Sequence, residues 1–136
     1  MGAAISSRRP AADTYLSEQK NQSFVRRLGF ALAGLAHAVR AERSLRTQAG
    51  VFGLVVVALI VLRPGPLWWA AVMLASAGVL AAELFNTALE ALADHLHPEH
   101  HPHIRIVKDC AAAAVLVATL GALAVGLALA VHLFWR

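Results

Sequence analysis

Residues 67–93 read LWWAAVMLASAGVLAAELFNTALEALA. No charge appears until Glu83, about four helical turns in. A bilayer's hydrocarbon core takes about 20 apolar residues to cross. The stretch therefore predicts a membrane-spanning helix that begins at Leu67 and continues through about Ala93. Trp68 and Trp69 at its start suit an interfacial aromatic belt.

Two further spans flank it. The apolar run VFGLVVVALIVL ends at Leu62 and is short for a bilayer. A span from about Gln48 to Leu62 is expected, with the helix beginning near Arg46. Arg63-Pro64-Gly65-Pro66 then predicts a tight turn, because two prolines oppose helix continuation. After the central span, residues 94–107 read as a polar loop rich in histidine and proline. The third span is expected from about Lys108 to Phe134, with Trp135 and Arg136 closing it at the opposite interface.

Composition agrees. The 136 residues are 59% hydrophobic and 15% charged, too apolar for a soluble domain of this size. The net charge is +4. Arg8, Arg9, Lys20, Arg26, Arg27, Arg40, Arg43 and Arg46 all precede the first long apolar run. In this setting the cluster reads as a flank facing anionic lipid, not as a nucleic-acid surface. Cys110 is the only cysteine, which excludes an intrachain disulfide and a multi-cysteine metal site. Residues 1–22 have no apolar core and no small-residue cleavage site, so no signal peptide is expected. They read as a disordered basic segment, with residues 23–136 as the membrane domain.

From Ser23 a helical pattern starts. Phe24, Leu28, Leu32, Leu35 and Val39 recur at three- and four-residue spacing, as in an amphipathic helix on a membrane surface. If that helix continued, Glu42 would return to the angle of Phe24, eighteen residues being five turns, and Arg46 would land nearby. The expected fold is thus all-α and integral to the membrane: one N-terminal surface helix and three spans. The excess of Lys and Arg on the N-terminal segment and the 94–107 loop puts both in the cytoplasm, with the C-terminus outside.

Glu83, Asn86, Glu90 and Asp94 fall at offsets of three, seven and eleven, on one narrow helix face. A charged side chain in a span costs about 2.5–3.5 kcal/mol even on mild scales. Interhelical glue, pairing with Arg46 or Lys108, is the plainer reading, but glue usually takes one polar residue. Lys108-Asp109 alone would read as a helix start with a snorkelling lysine. Glu42, Glu83, Asn86, Glu90, Lys108 and Asp109 can all reach one interfacial level. Carboxylates beside a cation suit Mg²⁺, which takes oxygen ligands and often arrives with a nucleotide. A carboxylate free of metal can act as general base on a hydroxyl, and a lysine can neutralise phosphate. That is an inventory for phosphoryl transfer to a lipid alcohol. Neither GxxxxGK[ST] nor the protein-kinase motifs occur. The five histidines between His95 and His103 allow a transition-metal site or an incidental solvated loop.

Three elements resemble the prokaryotic diacylglycerol kinase family, which includes undecaprenol kinases. These are Glu83-Leu-Phe-Asn86-Thr-Ala-Leu-Glu90, then Asp94, then Lys108-Asp-Cys-Ala-Ala-Ala-Ala-Val115. Gly34, Glu42 and Arg46 match more weakly. The resemblance covers Ser23 to the C-terminus. It implies a small homotrimeric kinase of the bacterial inner membrane, with ATP as co-substrate and active sites shared between protomers. By position it implies Glu83 as catalytic base, and Glu42 and Glu90 as ligands to Mg²⁺ on ATP. Asn86, Lys108 and Asp109 would position phosphates and neighbouring groups. Phe30, Glu99, His100 and His101 would lie near the nucleotide. Arg46, with Glu83, would meet the lipid. Gln48 stands where the family commonly has an acidic residue. The implied reaction is phosphorylation of 1,2-diacylglycerol to phosphatidate, with undecaprenol as the alternative acceptor. A rival of another class is a non-enzymatic assembly or ion-relay protein, whose charges would sit nearer the bilayer centre.

Overall fold

The computed structural model describes residues 23–97, 99 and 101–135. The basic segment 1–22 and His100 lie outside the described residues. The described chain is helical: α1 Phe24–Ala41, α2 Arg43–Leu62, α3 Pro66–Leu96 and α4 Pro102–Phe134. α2, α3 and α4 are long and apolar enough to cross a membrane.

The chain divides into two units within α1, after Ala36. The described part of the first unit is the start of that helix. The Ser23 carbonyl accepts from the Arg26 and Arg27 amides at 3.0 and 3.2 Å. Phe24, Leu28, Leu32 and Leu35 are all exposed, so the apolar stripe is uncovered within this unit.

The second unit, from His37, holds the three long helices. α3 packs mainly along α4 and, over a shorter stretch, along α2. Contacts fix an antiparallel register. Trp68 at the start of α3 meets His132 near the end of α4, and Asp94 near the end of α3 meets Lys108 near the start of α4. Leu59, Val72 and Leu129 form a small buried core at the end near the Arg63 turn, with Trp68, Trp69 and Met73 around it. Ala93 and Ala111 are buried towards the opposite end, where small side chains let helices approach. Most large apolar side chains face outward, among them Leu54, Leu74, Leu116 and Leu127. Water would penalise so much exposed apolar surface, whereas lipid or a neighbouring protein helix accepts it.

Several boundaries differ from the sequence reading. α1 stops at Ala41, and Glu42 is extended at φ −101°, ψ 125°. The projection that carried Glu42 and Arg46 onto the Phe24 stripe therefore does not hold. Arg46 Nη1 donates to the Arg40 carbonyl at 2.8 Å, supplying a terminal carbonyl of α1 with a partner that the helix no longer provides. α2 begins at Arg43, about one turn before the expected start near Arg46. The 94–107 loop also contracts. α3 runs on to Leu96 and α4 starts at Pro102, leaving 97–101 between them. Pro102 sits at the first helical position, where its missing N–H and fixed φ cost nothing. His101 caps the helix, its Nδ1 accepting from the His103 amide at 3.3 Å.

The Arg63 turn is as expected. Arg63 adopts the left-handed conformation (φ 48°) and its amide donates back to the Leu59 carbonyl at 3.0 Å. The Gly65 carbonyl accepts from Trp68 and Trp69, and Pro66 opens α3.

Candidate functional site

Glu83 is buried, only 5% exposed. Its carboxylate faces α2, where Ser44 and Gln48 sit one turn apart. Ser44 Oγ donates to Oε1, and Gln48 Nε2 donates to Oε2 at 3.4 Å. Both donors are neutral. The carboxylate thus has hydrogen bonds but no paired cation among the described residues, in a helix otherwise apolar for four turns before it.

One turn along α3, Asn86 Nδ2 donates to Glu90 Oε1 at 3.0 Å. The amide oxygen of Asn86 is buried and has no partner among the described residues. That atom can accept from a donor supplied by a ligand or a second chain. Glu42 is half-buried at the N-cap of α2 and makes no side-chain cap bond. Its carboxylate stands at the positive end of the helix dipole, uncommitted to the backbone.

Nearer the 97–101 loop the character changes. Lys108 Nζ pairs with Asp94 Oδ1. Asp109 pairs with Arg105 one turn earlier at 3.8 Å, both well exposed. Asp94, His97, Glu99, His101, Lys108 and Asp109 help line an open cleft of about 610 Å³. The rings of His97, His101 and His103 succeed one another at centroid separations of 6.1 and 5.5 Å. No group of three His, Cys, Asp or Glu side chains able to hold a metal occurs among the described residues. The transition-metal reading of the histidines therefore finds no support there. A second cleft, of about 550 Å³ between α2, α3 and α4, is apolar, lined by Val51, Phe52, Val55, Leu80 and Leu123. Gln48 also lines it, so the donor to Glu83 borders this groove.

Residues 29–130 match the family model described as prokaryotic diacylglycerol kinase. The chain belongs to the prokaryotic diacylglycerol kinase family. A diacylglycerol kinase of Synechocystis is 36% identical over 98 residues, covering 71% of this chain and 56% of its own length. An undecaprenol kinase of Bacillus subtilis is 30% identical over 94 residues, covering 69% of this chain and 76% of its own. The chain thus spans little more than half of the Synechocystis relative.

The family is one of membrane lipid kinases, in keeping with three helices long enough to span a bilayer. Of the residues expected to work together, Asn86 and Glu90 are in direct contact. Asp94, to which the resemblance gave no role, pairs with Lys108, one of the two partners named by the interhelical-glue reading. Phe30 lies exposed in the first unit. Glu99 and His101 border the cleft. Ser44 was missed by the sequence reading, and Gln48 was noted only as a departure. Their signal was present: two polar side chains four apart on α2, hence on one face, at the edge of an apolar run.

Proposed function

We propose that this chain transfers the γ-phosphoryl group of Mg²⁺-ATP to the hydroxyl of 1,2-diacylglycerol, giving phosphatidate at the cytoplasmic membrane interface. The observation that carries the reading is Glu83: a buried carboxylate with two neutral donors and, among the described residues, no cation, inside an apolar span. Such a group suits a general base that takes the proton of a lipid hydroxyl. About 20 residues cross the hydrocarbon. Counted from Trp69, they end near Leu89, so Glu83 lies roughly 9 Å below the far interface at 1.5 Å per residue. That depth suits an acceptor whose tails stay in lipid, and the apolar groove beside Gln48 suits the same kind of molecule.

Glu42 and Glu90 fit Mg²⁺, which commonly takes one or two carboxylates and completes its shell with phosphate oxygens and water. Asn86 orients Glu90 through their hydrogen bond. The cation draws charge from the transferring phosphoryl group when bound. Lys108 leaves Asp94 to meet the phosphates, and Asp109 positions neighbouring groups. Glu99 and His101 flank the nucleotide. Arg46 meets the lipid beside Glu83. The family forms homotrimers with shared sites by resemblance, and the uncovered faces of α2–α4 leave room for such contacts. α1 lies on the cytoplasmic surface, and the N-terminus is inside.

Undecaprenol is the second reading, favoured by the Bacillus subtilis relative, of whose length this chain covers the larger share. Membership of a lipid kinase family speaks against the ion-relay alternative. The test is radiolabelled phosphate transfer from ATP by the purified protein in mixed micelles, with diacylglycerol and undecaprenol in parallel. Faster labelling of diacylglycerol is expected. Labelling of undecaprenol alone would transfer the assignment to the second reading, and labelling of neither would refute both.

A further inference from the structure

Ser44 and Gln48 are the only side chains seen to hydrogen-bond Glu83 among the described residues, and they do so at different oxygens. They stand on one face of α2, a turn apart, so their positions relative to each other are set by the helix. Two points of attachment fix both the tilt and the rotation of a carboxylate plane. A single donor would leave the group free to swing.

We propose that Ser44 and Gln48 are positioning residues that hold Glu83 for proton abstraction. The proposal rests on the reading of Glu83 as base. Three features of the arrangement support it. An ionised carboxylate can accept about four hydrogen bonds, two per oxygen. Two are used here, so each oxygen keeps capacity to meet a substrate hydroxyl. Neither donor carries a charge, so neither forms an ion pair with Glu83, as the ammonium of Lys108 does with Asp94. Neither an amide nor an aliphatic hydroxyl competes for the proton at neutral pH. Gln48 also borders the apolar groove, so the holding contact and the route for an apolar acceptor meet at one side chain.

The test is steady-state kinetics on the full-length protein in mixed micelles, with diacylglycerol as acceptor. Ser44→Ala and Gln48→Met are compared singly and together, beside Ser44→Thr and Glu83→Gln. Misplacing a catalytic group by about 1 Å costs on the order of 100-fold. Each single variant is expected to lose about half of that effect on a logarithmic scale, roughly 10-fold in kcat, and the pair about 100-fold. KM for ATP and the thermal midpoint should be unchanged, and Ser44→Thr should restore kcat. An inactive Glu83→Gln beside a double variant of wild-type kcat would overturn the positioning role and leave the base reading standing. A wild-type rate in Glu83→Gln would overturn the base reading itself. Parallel falls in kcat, thermal midpoint and ATP affinity, or a Ser44→Thr protein as slow as Ser44→Ala, would reduce the pair to structural support.

Discussion

Glu83 and Asp94 are three turns apart on the same face of one helix, yet they are held in opposite ways. Glu83 is buried and, among the described residues, accepts hydrogen bonds from a hydroxyl and an amide only. Asp94 is largely exposed and meets an ammonium. Exposed ion pairs contribute little, about 0–1 kcal/mol, so the Asp94–Lys108 contact can open at small cost. A buried carboxylate held by neutral donors pays a desolvation cost that its contacts among the described residues do not offset. The difference separates two jobs. The deep group suits proton transfer, whereas the shallow pair parks a lysine that a polyphosphate can take over.

The largest expected effect breaks the deep end. Glu83→Gln keeps shape and removes the proposed base, and should lower kcat by about 100- to 10,000-fold. Retained ATP binding, read by equilibrium dialysis, shows that the site survives. At the shallow end, Lys108→Met should raise KM for ATP about 10- to 100-fold, the size of a lost charge-assisted hydrogen bond. A smaller effect on KM than on kcat would contradict the parked-lysine picture. Between them, Asn86→Ala frees Glu90 and should raise the Mg²⁺ concentration for half-maximal rate by about 10-fold, as loss of an orienting partner does. Added Mg²⁺ should restore much of the rate. The smallest effect is Asp94→Asn. It removes an exposed pair and should change stability by less than about 1 kcal/mol, measured by thermal unfolding. A collapse of stability there would erase the contrast.

The three spans were legible because apolar length and the Arg63-Pro64-Gly65-Pro66 turn are local signals. The ends of α3 and α4 were not. Asp94, His95 and Arg105 are polar, and polarity was read as loop, although a helix that emerges from a membrane is polar too. The break at Glu42 has no proline or glycine to announce it. It is marked by Arg46 reaching back to Arg40. In the site, the line of Glu83, Asn86 and Glu90 could be read from helical spacing alone. The i, i+4 contact of Asn86 with Glu90 follows from the same spacing, but what Glu83 touches does not, because Ser44 and Gln48 approach from another helix, thirty-nine and thirty-five positions away.

The central claim is that Glu83 is the base of a lipid kinase. Its most direct test is transfer of radiolabelled γ-phosphate from ATP to diacylglycerol by the purified wild-type and Glu83→Gln proteins, at equal ATP occupancy. The account predicts labelled phosphatidate from the first and at most about one-hundredth of that rate from the second. Equal labelling by both proteins would contradict it.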